Sequence, residues 1–233
     1  MKIQNDVDNI PHLELIESGI PIEVHHLLSY KRVTREEAYE LVGYKYSGWV
    51  VLFCDLKGNP YPRNDGKPFY RFKPDPEQFK GADAPKYLTP KGAGCRPYFS
   101  PLGTEERFIT CKKLFITEGE KKADALTHHG FPCIALSGVH SWKDKRNGES
   151  KPLPELEDFN WKNRQVYLVF DSDIISKAEV LDALEKLSEF LKGKEAKISI
   201  VLLPTELNGE KNGADDFLKR HGNQAFSDLV RIA

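Results

Sequence analysis

Leu114-Phe115-Ile116-Thr117-Glu118-Gly119-Glu120-Lys121-Lys122-Ala123-Asp124-Ala125-Leu126 and, 40 residues further on, Val166-Tyr167-Leu168-Val169-Phe170-Asp171-Ser172-Asp173 decide the reading of this chain. Each stretch opens as a short apolar run and ends in acidic residues. Runs that are apolar throughout, without alternation, belong to strands covered on both faces, as in a parallel sheet. Two more such runs flank them: Cys133 to Leu136, and Ile198 to Leu203, which Pro204 stops. Between the strands lie helical patterns. Glu120 to His129 ends at Gly130, and Ala214 to His221 ends at Gly222. Lys177 to Lys192 gathers Val180, Leu181, Leu184, Leu187, Phe190 and Leu191 on one face before Gly193. Strand and helix in alternation predict an α/β fold, a parallel sheet flanked by helices, over residues 111–233.

Upstream the pattern is different. Residues 1–45 read as a helical segment, with Thr34-Arg35-Glu36-Glu37 as a capping box and Gly43 as a stop. Residues 46–110 read as a smaller, basic, β-rich unit, so that an α+β subdomain precedes the sheet. Trp49 to Cys54 and Phe69 to Lys73 are strand-like, and Pro74 to Gly103 is a long loop with an extended piece at Lys86-Tyr87-Leu88. From Lys57 to Arg96 there are nine basic residues against four acidic ones, a local net charge of +5 in a chain whose overall charge is −1. Tyr61, Phe69, Tyr70, Phe72 and Tyr87 are interleaved with them. Cations for phosphates and rings for bases suit a single-stranded nucleic acid. A solvated β-ribbon with its rings packed inward fits the same pattern.

Glu118, Asp171 and Asp173 each follow a strand. In a parallel α/β sheet, ligands bind beyond the carboxyl ends of the strands, so these acids are expected to converge there. Asp171 and Asp173 are two residues apart, which in an extended segment sends both side chains to one side. Clustered carboxylates repel unless neutralised, and a hard divalent cation such as Mg²⁺ or Mn²⁺ is the partner that oxygen ligands prefer. Such an ion orients phosphate oxygens, which points to phosphodiester chemistry. Glu118 suits a ligand or a general acid–base role. Of Asp215 and Asp216, one is expected to cap a helix and the other is a candidate ligand for a second metal. Glu120, Lys122 and His140 are further candidates near the same strand ends. Glu120 equally suits the start of a helix, and His140 with Trp142 a packed loop tip.

The composition excludes other classes. With 39% hydrophobic residues and 11% aromatics the chain can bury a core, and no apolar run approaches the length of a membrane span. The first residues lack an export signal, and a cytoplasmic location is expected. Cys54, Cys95, Cys111 and Cys133 lack zinc-knuckle spacing and read as half-buried free thiols, and His25-His26 read as surface residues. There is no Walker-type phosphate loop.

The Leu114–Leu126 string followed by Asp171-Ser172-Asp173 resembles the Toprim domain shared by bacterial primases, topoisomerases and some nucleases. The 53-residue separation of Glu118 and Asp171, with one strand between, fits that family, as does Ala214-Asp215-Asp216-Phe217-Leu218. Ser47-Gly-Trp-Val-Val-Leu-Phe-Cys-Asp-Leu-Lys-Gly-Asn-Pro60, Phe69-Tyr-Arg-Phe72 and Pro85-Lys-Tyr-Leu-Thr-Pro90 look like the basic subdomain that precedes Toprim in primase catalytic cores, so the resemblance covers about residues 45–220. The wording Glu118-Gly-Glu-Lys-Lys-Ala123 is similar to primase-like Toprim proteins of plasmids and phages. The resemblance implies a DNA primase-like nucleotidyltransferase in DNA replication, acting on single-stranded DNA with nucleoside triphosphates. By it, Arg63, Arg71, Lys73, Lys86 and Lys91 face template or nucleotide. A Toprim nuclease, or a non-catalytic single-strand-binding module partnering a replicative helicase or polymerase, are the alternative readings. The zinc ribbon and helicase module of bacterial primases are not recognised in this sequence, and such functions are expected to come from another protein.

Overall fold

The computed structural model describes residues 12–79, 85–146, 148–173 and 178–233. Lys80 and Asp83 of the basic stretch, the start of the N-terminal segment and Lys177 at the expected helix start lie outside these.

The main sheet has five strands: β4 (Tyr98–Phe99), β5 (Lys113–Glu118), β6 (Cys133–Leu136), β9 (Gln165–Val169) and β10 (Lys197–Val201). Their order is β10-β9-β5-β6-β4. Four of them are parallel, and only β4 runs antiparallel, pairing Tyr98 with Ala135 and Phe99 with Ile134. β10, at the edge, is not covered on both faces as the reading of Ile198 to Leu203 expects, and it leaves Ile200 exposed. The apolar side chains of the inner strands are buried almost without break, from Leu114 to Ile116, Cys133 to Leu136 and Val166 to Phe170. That is the fold class the apolar runs predict.

Connectivity fixes where a site can form. α4 (Glu120–His128) carries the chain from β5 to β6, and α6 (Ala178–Gly193) carries it from β9 to β10. The two crossovers step in opposite directions across the sheet. Right-handed connections therefore set α4 and α6 on opposite faces and leave a crevice between the carboxyl ends of β5 and β9. α7 (Ala214–Ile232) packs on α4 and breaks at Gly222, where φ is 79°. The sequence reading stopped that helix at Gly222; the chain instead kinks and continues, because Phe226 and Val230 bury their side chains.

A three-stranded antiparallel sheet precedes this one: β1 (Tyr30–Val33), β2 (Gly48–Leu52) and β3 (Tyr70–Pro74), in the order β1-β2-β3. Its alternation divides two cores. Val50 and Phe72 pack with Val33, Ala38 and Val42 under α2 (Arg35–Val42), while Val51 joins the large core shared with the main sheet. The expected capping box starts α2: Thr34 Oγ1 accepts from the Glu37 N–H at 3.2 Å, and Glu37 Oε2 accepts from the Thr34 N–H at 2.8 Å.

The N-terminal part is not wholly helical. α1 (His12–Glu17) and a 3₁₀ turn over Ile22–Leu27 lead into β1, so a strand lies inside the stretch expected to be helical. His25 is buried, not a surface residue, and its Nε2 lies 2.9 Å from the Ile20 carbonyl oxygen. The Pro74–Gly103 loop contains β4, and Leu88 bridges to Phe72 as the extended piece there requires. α3 (Glu105–Thr110), the hairpin of β7 (Lys143–Arg146) with β8 (Glu149–Pro152), and α5 (Pro154–Glu157) complete the chain. Among the described residues, no helix is long and apolar enough to cross a membrane. Cys54, Cys95 and Cys111 are half-buried free thiols, while Cys133 is fully buried within β6.

Candidate nucleic-acid active site

The crevice at the carboxyl ends of β5 and β9 opens into a cleft of about 470 Å³. Glu118, Glu120, Asp171, Asp173, Asp215 and Asp216 all line it, with Arg71, Lys86 and Lys122. Glu118 is the last residue of β5 and is exposed. The chain leaves β5 through Gly119, whose φ of 93° only glycine adopts without strain, and enters α4 at once. This turn directs Glu118 to the cleft and Glu120 into the protein.

Asp171 and Asp173 follow β9 in a tight turn, not in the extended segment the spacing suggested, and both carboxylates still line the cleft. The turn is tied to the loop before α7. The Ser172 N–H donates to the Asn212 carbonyl at 2.9 Å, and the Asn212 N–H donates to Ser172 Oγ at 2.9 Å. Asn212 is completely buried; its side-chain amide donates to the Pro204 carbonyl and to Glu206, and its amide oxygen accepts from Arg220. Sequence reasoning missed Asn212. Its one signal is an asparagine followed by glycine between a strand and an acidic helix start.

That tie carries α7's first turn to the same cleft. Asp216 Oδ2 accepts the Gly213 N–H at 3.1 Å and so caps the helix, as one of the two acids was expected to do. Asp215 is 7% exposed, and its Oδ1 is buried without a hydrogen-bond partner. An unsatisfied buried carboxylate oxygen is costly, and Asp215 Oδ1 is left with the capacity to accept from a ligand.

Lysines hold these acids. Lys122 Nζ donates to Asp171 Oδ1, and Lys211 Nζ lies 3.9 Å from Asp171 Oδ2 and 3.8 Å from Asp173 Oδ2. Although burial works against its charge, the carboxylates of Asp171, Asp215 and Glu118 raise the Lys122 ammonium above its usual value. Desolvation, followed by the charges of Lys122 and Lys121, lowers the Lys86 ammonium. Among the described residues, no group of three or more His, Cys, Asp or Glu side chains is gathered in a metal-holding arrangement. The lysine contacts give the physical reason: Asp171 and Asp173 are turned toward ammonium groups. The donors lining the cleft are nevertheless all hard oxygens, with one carboxylate oxygen of Asp215 and one of Glu120 orphaned, and that set fits Mg²⁺ or Mn²⁺ and not a thiophilic ion.

The basic segment lines the same cleft. Arg71 of β3 pairs with the buried Glu120 at 2.5 Å, and its guanidinium carbon lies 4.5 Å from the centroid of the Tyr87 ring. Lys86 is exposed at the rim. The other expected contacts do not line this cleft. Lys73 Nζ is held at 2.6 Å by both oxygens of Glu14, Arg63 pairs with Asp65 and the Leu41 carbonyl, and Lys91 and His140 are exposed elsewhere. Of the interleaved rings, Tyr61, Phe69 and Phe72 lie in the core and cannot stack on bases; burial is what the inward-packed ribbon requires. Trp142 is buried too, its ring stacked on Phe190.

Comparison with known proteins supports the fold. Residues 110–225 match a family model described as a domain of unknown function, DUF3854. An uncharacterized protein of Picosynechococcus sp. strain PCC 7002 is 30% identical over 123 residues, which is 48% of this chain and 12% of that protein. The chain thus spans about an eighth of that relative's length. The zinc-binding and RNA polymerase domains of Aquifex aeolicus primase superpose with a TM-score of 0.61 at 14% identity, over 94% of this chain and 55% of that one. The RNA polymerase domain of Mycobacterium tuberculosis primase gives 0.63 at 14% identity, over 98% and 77%. A primase catalytic domain bound to single-stranded DNA gives 0.60 at 15% identity, over 99% and 73%. This chain has the α/β fold of a primase catalytic core.

Proposed function

We propose that the protein is a metal-dependent nucleic-acid enzyme of primase type, joining nucleoside triphosphates on a single-stranded DNA template. The observation that carries this reading is the cleft itself. Acids from three separate elements, the ends of β5 and β9 and the start of α7, line one cleft together with Arg71, Lys86 and Tyr87 from the upstream segment.

Glu118, Asp171, Asp173 and Asp215 would hold the divalent ion, which when bound neutralises phosphate charge and orients the reacting oxygens. The chain's own residues supply the remainder. Lys86 and Lys211, which stand at the rim, attract the phosphates of nucleotide or template. Arg71, held by Glu120 and covering Tyr87, keeps the upstream segment at a fixed distance from the acids. The Asn212–Ser172 tie fixes Asp171 relative to Asp215, so that the acids are arranged before substrate arrives.

The test offers the protein single-stranded DNA, labelled ribo- and deoxynucleotides and Mg²⁺ or Mn²⁺. New oligomers support nucleotidyl transfer. Shortened template without new oligomers assigns the site to a nuclease, and binding without either product leaves a single-strand-binding module. A helicase or polymerase partner is part of the proposal, tested by whether either protein retains the chain on a column.

A further inference from the structure

Lys122 occupies an unusual position. It is the third residue of α4, where a lysine ordinarily points to solvent, yet it lines the cleft among the acids. Its Nζ donates to Asp171 Oδ1. Its stem runs against the Gly213 backbone so closely that a Cβ at Gly213 would come within 2.6 Å of Lys122 Cε and 2.7 Å of Asp215 Oδ1. Glycine at 213 is what admits the lysine between α4 and α7. The ammonium thus has Asp171 against it, and Asp215 and Glu118 near enough to raise its affinity for a proton.

A site for two divalent ions is favoured by a carboxylate whose two oxygens can bridge them, and it needs room for two charges a few ångströms apart. Here one oxygen of Asp171 is engaged by a side-chain cation, and a divalent ion beside that ammonium is repelled by it. Lys211 does not replace this arrangement, because it is 62% exposed and nearly 4 Å from the acids, and can swing away.

Resting on the metal-dependent reading above, we propose that Lys122 is a resident cation filling one of two cation positions in the cleft, so that the protein binds a single divalent ion there and Lys122 supplies the second positive charge. The ion's position is the part of the cleft lined by Asp173, Glu118, the orphaned oxygen of Asp215 and the Asp171 oxygen that Lys122 does not engage.

The experiment counts Mn²⁺ bound per full chain, without nucleotide, by electron paramagnetic resonance and calorimetry. Wild type is expected to bind one ion, Lys122→Arg one, and Lys122→Met two, with the second site competing with Mg²⁺. Circular dichroism and a thermal melt check that each variant is folded, and Lys122→Gln stands in if Lys122→Met is not. Two ions in wild type, or one ion in both wild type and the folded neutral variant, overturns the Lys122 assignment while leaving a metal site intact. No Mn²⁺ bound by any of them overturns the metal-dependent reading itself.

Discussion

Arg71 on β3 and Glu120 at the start of α4 form a buried ion pair, N to O 2.5 Å, that joins the upstream sheet to the cleft. Glu120 is 1% exposed, and Arg71 is nearly as buried. A charge pair so enclosed gives little net stability, but either partner left alone is severely penalised. The pair is therefore a positioning device: it holds the upstream sheet and the acids of the cleft in one arrangement.

Removing one partner should show this. Arg71→Met leaves the Glu120 carboxylate buried and unpaired and is expected to cost about 3–5 kcal/mol in chemical denaturation. Arg71→Met with Glu120→Leu should recover most of that loss while loosening template binding. Equal stabilities for the single and double variants would contradict the pairing.

Asp124 should make stability depend on pH. It is fully buried on α4, where it accepts the Tyr30 hydroxyl at 2.8 Å and the Tyr98 hydroxyl at 3.0 Å, tying β1 and β4 to the helix. Burial raises its carboxyl to about 7 against the lowering effect of these hydroxyls and of Ser100. A carboxyl raised in the folded state binds more protons folded than unfolded, so its contribution is fully favourable below the unfolded value and is lost as pH rises through the folded one. Relative to Asp124→Asn, wild type should lose stability between about pH 4 and 7, with a slope approaching 1.4 kcal/mol per unit. Parallel stability curves for the two proteins would refute it.

These two contacts also mark what the sequence could not disclose. The inner parallel strands β5, β6 and β9 were legible because each is a buried apolar run, and Glu118 and Asp171 were legible because each follows one. β4 is two residues long and has no period to read, and β1 is Tyr-Lys-Arg-Val, whose two charges masked a strand inside a helical-looking segment. The β7–β8 hairpin is built mostly from charged residues and has no apolar face. In the site, Arg71 and Lys73 are alike in sequence, two positions apart on one strand and so on one face. Only the tertiary partners separate them: Glu120 in the cleft for one, Glu14 on α1 for the other. Lys122 is a candidate in the sequence by its place after β5, but its partner Asp171 is visible only in the folded chain.

Template binding should follow the same division. Affinity for single-stranded DNA is expected to fall with salt, and Lys86→Ala or Lys211→Ala should each lower the slope of log K against log salt by about 0.7. Lys73→Ala and Lys91→Ala should leave the slope unchanged, the first because Glu14 already neutralises it, the second because it stands away from the cleft. A flat salt response in wild type would remove the cleft as the nucleic-acid face.

Glu118 at the end of β5 and Asp171 and Asp173 after β9 are proposed to serve one phosphodiester reaction. The direct measurement is Mg²⁺-dependent oligomer synthesis on single-stranded DNA by wild type, Asp171→Asn and Glu118→Gln, each confirmed folded. The predicted result is synthesis by wild type and a loss of at least ~100-fold in both variants. Synthesis surviving both substitutions would contradict the site described here.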